Sequence, residues 1–271
     1  MVRSWLYVPA DRSELYDKAL RSGAGGLIVD LEDAVAPTAK DAARHACSAL
    51  LAQQRDHAGD QRIAVRINSN AVAQDIDAAQ GADSLVIPKA TSATIDAVVE
   101  HLGSDSSVRL CALIESAQGV LDAAEVARHH LVERLALGEA DLCAELKITP
   151  SGGEPELAAI RTAIVVASAA AGIESPTAGV STQFRDLELF TQSCVQLHRM
   201  GFGSRSAIHP AQIGVIESVF APTPQQLAAA RAILEQFEAA TASGVGVIVG
   251  DDGTMIDEAV VRSARSMLGS A

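Results

Sequence analysis

Residues 5–33 read WLYVPADRSELYDKALRSGAGGLIVDLED, and the way the first strand of this stretch ends decides the fold. Trp5–Val8 is a short apolar run of β type, Glu14–Arg21 carries apolar residues at helical spacing, and Leu27–Leu31 is apolar again. A strand, a helix and a strand in this order imply parallel pairing through a right-handed crossover. An open doubly wound sheet usually places G-x-G-x-x-G after its first strand. Here that strand runs into Val8-Pro9-Ala10-Asp11 instead. The stretch points to a closed barrel.

Outward from it, β-type runs recur at Ile63–Ile67, Leu85–Ile87, Val108–Ile114, Arg134–Leu137, Ser175–Val180 and Ser206–Ile208. Helix-like stretches separate them, among them Ala39–Gln54, Ile95–Leu102, Ala117–His129, Leu157–Ala171 and Leu187–Met200. That makes eight β/α units before about residue 220, the number a (β/α)8 TIM barrel needs. Residues 222–271 differ. Pro222 and Pro224 break the chain, Gln225–Ala240 reads as one long helix, and Glu258–Leu268 reads as a last one. Between them, Val245–Val249 and Met255–Ile256 flank the turn Gly250-Asp251-Asp252-Gly253. The prediction is an α/β chain: a barrel over residues 1–221 and a C-terminal helix–hairpin–helix extension over residues 222–271. A closed barrel admits no ninth unit, so the extension is expected to pack on the barrel or on a neighbouring subunit.

Composition narrows the function classes. Of 271 residues, 48% are hydrophobic, and 21 Lys and Arg face 34 Asp and Glu, a net charge of −13. Such acidity argues against nucleic-acid and anionic-membrane partners, which clustered cations attract. At 3%, the aromatics are too few for a base-stacking platform. Charged residues come too early at the start for a signal peptide, and no apolar run nears the roughly 20 residues of a membrane span. Cys47, Cys111, Cys143 and Cys194 lack C-x-x-C spacing and read as small buried hydrophobes of a reducing compartment. A soluble cytoplasmic protein is expected.

A barrel carries its active site at the C-terminal ends of its strands, and several strands here end in charges. Asp30-Leu31-Glu32-Asp33, Arg66-Ile67-Asn68, Pro88-Lys89, Glu115, Gly138-Glu139-Ala140-Asp141 and His209-Pro210 would share one rim. Buried charges need partners. Glu115 and Asp141, from adjacent units, are hard oxygen donors that suit Mg²⁺ with waters and substrate oxygens completing its shell. Arg66 suits bidentate binding of a carboxylate or enolate-like oxygen, and could also pair with Asp30, Glu32 or Asp33. Lys89 could be a Schiff-base lysine, but the acids around it would keep it protonated. Asp11-Arg12 could hold a phosphate or cap the first helix. His209 reads as a hydrogen-bonded structural residue rather than an acid/base, and His129-His130 as solvated near a helix end.

Taken in order, these segments resemble the citrate lyase β-subunit-like proteins of the wider aldolase/citrate lyase group. The resemblance rests on Arg3-Ser4-Trp5-Leu6-Tyr7-Val8-Pro9-Ala10, Asp30-Leu31-Glu32-Asp33-Ala34-Val35 with Lys40 and Arg44, and Val65-Arg66-Ile67-Asn68 with Pro88-Lys89. It continues through Ile114-Glu115-Ser116-Ala117, Gly138-Glu139-Ala140-Asp141-Leu142, Gly201-Phe202, Ile208-His209-Pro210-Ala211-Gln212-Ile213 and Gly253-Thr254-Met255-Ile256-Asp257. Two features depart from the pattern: Glu145-Leu146-Lys147 followed by a long Ser151-Gly152-Gly153 loop, and Ile160 in place of a Tyr before Arg161.

The resemblance implies a Mg²⁺-dependent carbon–carbon lyase on a barrel, commonly a homotrimer, acting on acyl-CoA thioesters of 3-hydroxy acids or on related 2-hydroxy or 2-keto carboxylates. Glu115 and Asp141 would hold the metal. Arg66 would bind the substrate's carboxylate or keto oxygen, and Glu32 and Asp33 would support metal-bound waters. Asp257 matches an acid that, in malyl- and citramalyl-CoA-cleaving relatives, reaches into a neighbouring subunit. Because the chain is acidic, a polyanionic CoA would depend on a local cationic patch, for which Arg12, Lys18 and Lys89 are the candidates. Two alternatives stand beside this reading: the β chain of a multi-subunit citrate lyase working only with acyl-carrier partners, and a CoA-independent pyruvate aldolase.

Overall fold

The computed structural model describes residues 2–54, 61–103, 106–242, 246–250 and 253–269. In chain order the first part of the molecule runs β1 (Ser4–Pro9), α1 (Tyr16–Leu20), β2 (Gly26–Asp30), α2 (Lys40–Gln54), β3 (Arg62–Arg66), α3 (Val72–Ala78), β4 (Ser84–Ile87) and α4 (Ser92–Leu102). It continues with β5 (Arg109–Ile114), α5 (Ala117–Ala127), β6 (Val132–Leu137), α6 (Glu139–Leu146), α7 (Ala158–Ala171), β7 (Glu174–Ala178), α8 (Leu187–Arg199), β8 (Ser204–Ala207) and α9 (Ile213–Phe220). The eight strands are all parallel and close in sequence order, with β8 paired back onto β1. The fold is a (β/α)8 barrel.

Period-2 alternation along each strand sorts its side chains between two cores. Leu27, Val29, Val65, Leu110 and Ala112 face outward and meet the helices, in one continuous cluster. Trp5, Ile28, Ala64, Val86, Cys111, Leu113 and Ala136 fill the barrel interior. Two residues beyond Ile28, Ala64 and Leu113, the same inward face carries Asp30, Arg66 and Glu115. The β2–β3 register sets Asp30 directly opposite Arg66. Apolar interior layers thus give way to charge at the C-terminal mouth.

Three helices, α3, α6 and α9, are seven or eight residues long. They are too short for a window of about 11–18 residues to register their periodicity. Helix α6 changes one expectation: Asp141 stands in its first turn rather than at a strand end.

By internal contacts the chain divides into two compact units, Val2–Phe220 and a second one over Ala221–Ala271. The second holds α10 (Pro224–Ala242), a two-stranded antiparallel ribbon of β9 (Ile248–Val249) and β10 (Met255–Ile256), and α11 (Glu258–Gly269). Phe237, Ile256 and Val261 form its small core. Val245, Asp251 and Asp252 of the expected hairpin lie outside the described residues. Among the described residues no helix is long and apolar enough to cross a membrane.

Candidate active site

A cavity of ≈ 450 Å³ opens at the C-terminal mouth of the barrel, lined by Tyr7, Asp30, Asp33, Arg66, Glu115, Glu139 and Asp141 among others. Asp30 is its anchor. Its Oδ1 accepts the Glu32 N–H at 2.9 Å and its Oδ2 the Ala34 N–H at 3.1 Å, which folds the loop after β2 into a tight turn. The same two oxygens each accept a 2.7 Å hydrogen bond from Arg66, through Nε and Nη2, a bidentate pair that fixes the guanidinium plane. The Arg66 Nη1 edge then meets Glu32 Oε2 at 3.0 Å and Asp33 Oδ2 at 3.5 Å, and its Cζ lies 5.1 Å from the centre of the Tyr7 ring.

A second network holds the loops from behind. Lys40 Nζ donates to the carbonyls of Leu31 and Glu32 and to Asn68 Oδ1, at 2.6–2.8 Å. Asn68 Nδ2 donates to the Leu31 carbonyl and to Asp75 Oδ2, and fully buried Asp75 is closed off by Arg44 Nε at 2.7 Å. The Lys40 and Arg44 of the sequence pattern therefore brace the Asp30–Asp33 turn.

Glu115 is buried, and its Oε1 accepts the Lys89 backbone N–H at 2.9 Å. Lys89 also adopts a left-handed backbone (φ 48°), a conformation costly for a residue with a Cβ. Burial, aided by the charges of Glu32 and Asp141, pushes the Glu115 carboxyl up to about 7. Glu32 rises to about 7 for the same first reason, with Asp33 and Asp30 adding to it against the pull of Arg66. Glycine is required at 138: a Cβ there would sit 2.6 Å from Glu115 Cβ and 2.7 Å from its Oε2.

The mouth thus gathers Glu115, Asp141, Glu32, Asp33 and Arg66. Other expected residues lie apart from it. Lys89 contributes its backbone to Glu115 while its side chain is exposed, and exposed Arg12 pairs with Glu14. Lys18 borders a smaller cavity of ≈ 210 Å³ with Tyr7 and His209. His209 Nδ1 accepts the Ala211 N–H at 3.1 Å and its ring stacks on Phe184, the structural part expected of it. Asp257 belongs to the second unit, where its Oδ1 accepts the Ala259 and Val260 N–H groups and caps α11. The anchoring part of Asp30 was not legible in the sequence, where it was one of three possible partners for Arg66. The Asp30↔Arg66 register supplies what was missing.

The donor set fits a hard divalent cation. Crowded, desolvated carboxylates with raised pKa values are relieved by bound positive charge, and Glu115 with Asp141 supplies two oxygen ligands of the kind Mg²⁺ takes. Among the described residues no group of three or more His, Cys, Asp or Glu is placed to hold a metal ion.

The model of the HpcH/HpaI aldolase/citrate lyase family matches residues 3–210. The chain belongs to this family. It is 34% identical to a (3S)-malyl-CoA thioesterase of Cereibacter sphaeroides (strain KD131), over 99% of this chain and 94% of that protein. It is 33% identical to the citrate lyase subunit beta of Escherichia coli (strain K12), over 99% and 93%. Among solved structures it superposes on protein CitE from Mycobacterium tuberculosis in complex with magnesium, acetoacetate and coenzyme A, with TM-score 0.78 and 29% identity, covering 100% of this chain and 98% of that one. Family members of this type are lyases and thioesterases of carboxylate and CoA substrates, and this family member presents its charged barrel mouth in the same fold.

Proposed function

We propose that this chain is a Mg²⁺-dependent carbon–carbon lyase that cleaves, or in reverse forms, a 3-hydroxyacyl-CoA-type or related 2-hydroxy or 2-keto carboxylate. One observation carries the reading: Glu115 and Asp141 line a single cavity with Arg66. The magnesium, acetoacetate and coenzyme A bound by CitE support the choice of ion and ligand class.

Glu115 and Asp141 would hold the ion, with Glu32 and Asp33 accepting hydrogen bonds from its waters. Bound there, Mg²⁺ would supply Lewis-acid polarisation of the substrate's α-oxygen and carboxylate. Arg66, clamped by Asp30, keeps its Nη1 edge toward the acids of the mouth and stabilises charge on the α-oxygen. The α-hydroxyl would pass its proton to Glu32 or Asp33 at the mouth, directly or through a water; the α–β carbon bond breaks, the α-oxygen becomes a carbonyl oxygen and the electron pair leaves with the other fragment as an enolate. Asp257 of a neighbouring subunit would protonate that enolate, and remove the proton in reverse. This assigns the second unit a place on an adjacent barrel and makes the working form a homo-oligomer, a trimer by resemblance. Four free cysteines fit a reducing, cytoplasmic setting.

The test is an assay of malyl- and citramalyl-CoA with the isolated chain. Glu115→Gln and Asp141→Asn are each expected to lower Mg²⁺-dependent cleavage by on the order of 10³-fold with unchanged far-UV circular dichroism. Full activity in EDTA would end the metal role. Asp257→Ala should lower kcat by about 10²–10⁴-fold while KM stays within a few-fold. Activity only in the presence of acyl-carrier and transferase chains would favour the citrate lyase β-chain reading, which the Escherichia coli relative supports. Cleavage insensitive to CoA would favour a pyruvate aldolase. Release of CoA without carbon–carbon cleavage would move the assignment to thioester hydrolysis, as in the name of the Cereibacter relative.

A further inference from the structure

Four arginines among the described residues are buried: Arg66, Arg134, Arg161 and Arg205. Three have carboxylates. Arg66 holds Asp30, Arg134 meets Glu174 at 3.1 Å, and Arg161 clasps Glu139 at 2.6 Å and Glu154 at 2.5 Å. Arg205, only 3% exposed, has no carboxylate among the described residues. Its Nε donates to the Gly179 carbonyl at 3.2 Å, and its Nη1 donates to Ser193 Oγ at 3.0 Å and Cys194 Sγ at 3.2 Å. Its Cζ lies 4.4 Å from the centre of the Phe190 ring, and Nη2 makes no hydrogen bond among the described residues. Neutral acceptors and a ring face leave a full positive charge without a counter-ion, a state that burial penalises.

Arg205 also lines a second cavity of ≈ 460 Å³, bounded by the 150–157 segment, the loop after β7 and the side of α8. This cavity shares only the wall of Glu139, Ala140 and Val180 with the first. Glu139 and Glu154 border it, but both turn to Arg161. The other polar side chains that line the cavity are neutral, among them Thr182, Gln183, Gln192 and Ser193, and Ser193 touches Arg205 directly. A buried cation that lines a cavity together with neutral hydroxyls and amides, and whose Nη2 makes no hydrogen bond among the described residues, is a pattern that binds an oxyanion.

We propose that this cavity is an oxyanion site, in which the carboxylate or phosphate group of a small molecule sits on Arg205 Nη2 and takes further hydrogen bonds from the surrounding hydroxyls and amides. The site is distinct from the cavity of Arg66, Glu115 and Asp141 and does not depend on the reaction proposed for it.

Thermal unfolding of the full chain without divalent ions, at constant ionic strength, tests it. Potassium chloride is replaced stepwise by potassium phosphate in one arm and by potassium acetate in the other, which separates the two ligand chemistries. The expected result is a saturable rise in Tm, about 3–5 °C at tenfold above Kd, with at least one of the two anions. Arg205→Met should abolish the rise, and Asp141→Asn, which alters only the first cavity, should keep it. Ser193→Asp puts a carboxylate beside Nη1, so it should raise Tm in chloride and remove the anion response, and it carries the test if Arg205→Met does not fold. No saturable rise in the wild type, a rise unchanged in Arg205→Met, or a Ser193→Asp protein with lowered Tm and an intact response would each overturn the proposal.

Discussion

The two ends of the barrel interior use the same chemistry to opposite effect. At the lower end Arg134 meets Glu174 at 3.1 Å and Glu133 at 3.9 Å, and its guanidinium lies 4.5 Å from the Trp5 ring. Trp5 is 1% exposed and seals that end with apolar neighbours. At the upper end Arg66 meets Asp30, Glu32 and Asp33, yet among the described residues Glu115 and Asp141 pair with no arginine and face a cavity. An arginine covered by an aromatic plug is structure. An arginine outnumbered by carboxylates around an open space is a place for a cation and a ligand. The difference lies in the excess of acids and the missing plug, not in the arginine.

That contrast is sharpest in paired substitutions. Arg66→Lys keeps the charge but loses the two-pronged grip on Asp30, and kcat/KM is expected to fall by about 10²–10³-fold. Arg134→Lys should leave kcat/KM within about twofold while lowering Tm. Equal catalytic losses at both ends would break the comparison. A second probe is steric. Gly138→Ala drives a methyl into Glu115, so Mg²⁺ affinity measured by titration should weaken about 10–100-fold with little change in fold. Affinity within twofold of wild type would mean that Glu115 does not need its present position.

The smallest expected effect is in the pH dependence of stability without divalent ions. Glu115 and Glu32 have folded pKa values raised to about 7 from an ordinary 4.5. Between those values the unfolded chain releases its protons first, so the folded state binds more of them and stability falls as pH rises through 7. Tm scans at pH 5 and 8 should show this decline, flattened in Glu115→Gln, and added Mg²⁺ should raise Tm more at pH 8 than at pH 5. A decline unchanged by the substitution would assign it to other groups.

Much of the barrel was legible because strand-forming runs of β-branched and aliphatic residues recur with helical stretches between them, and a count of eight such units closes a parallel sheet. The charged mouth was legible too, since Asp30, Arg66 and Glu115 end runs whose other residues are apolar. Asp141 was read at a strand end and stands on α6, because an eight-residue helix opening on Gly138 leaves too short a periodic trace. The brace from Lys40 through Asn68 and Asp75 to Arg44 links residues up to 35 positions apart in sequence, and no local pattern announces it.

The order of apolar runs and the charges at their ends settled the architecture and where chemistry would gather, because hydrophobic periodicity and the cost of burying charge act locally along the chain. Which charges pair and which stay free was decided only in three dimensions. Strand register gave Asp30 to Arg66, and folding of distant loops left Glu115, Asp141 and Arg205 facing open space. Electrostatic partnership depends on distance and on the medium between the charges, and neither is written in the sequence.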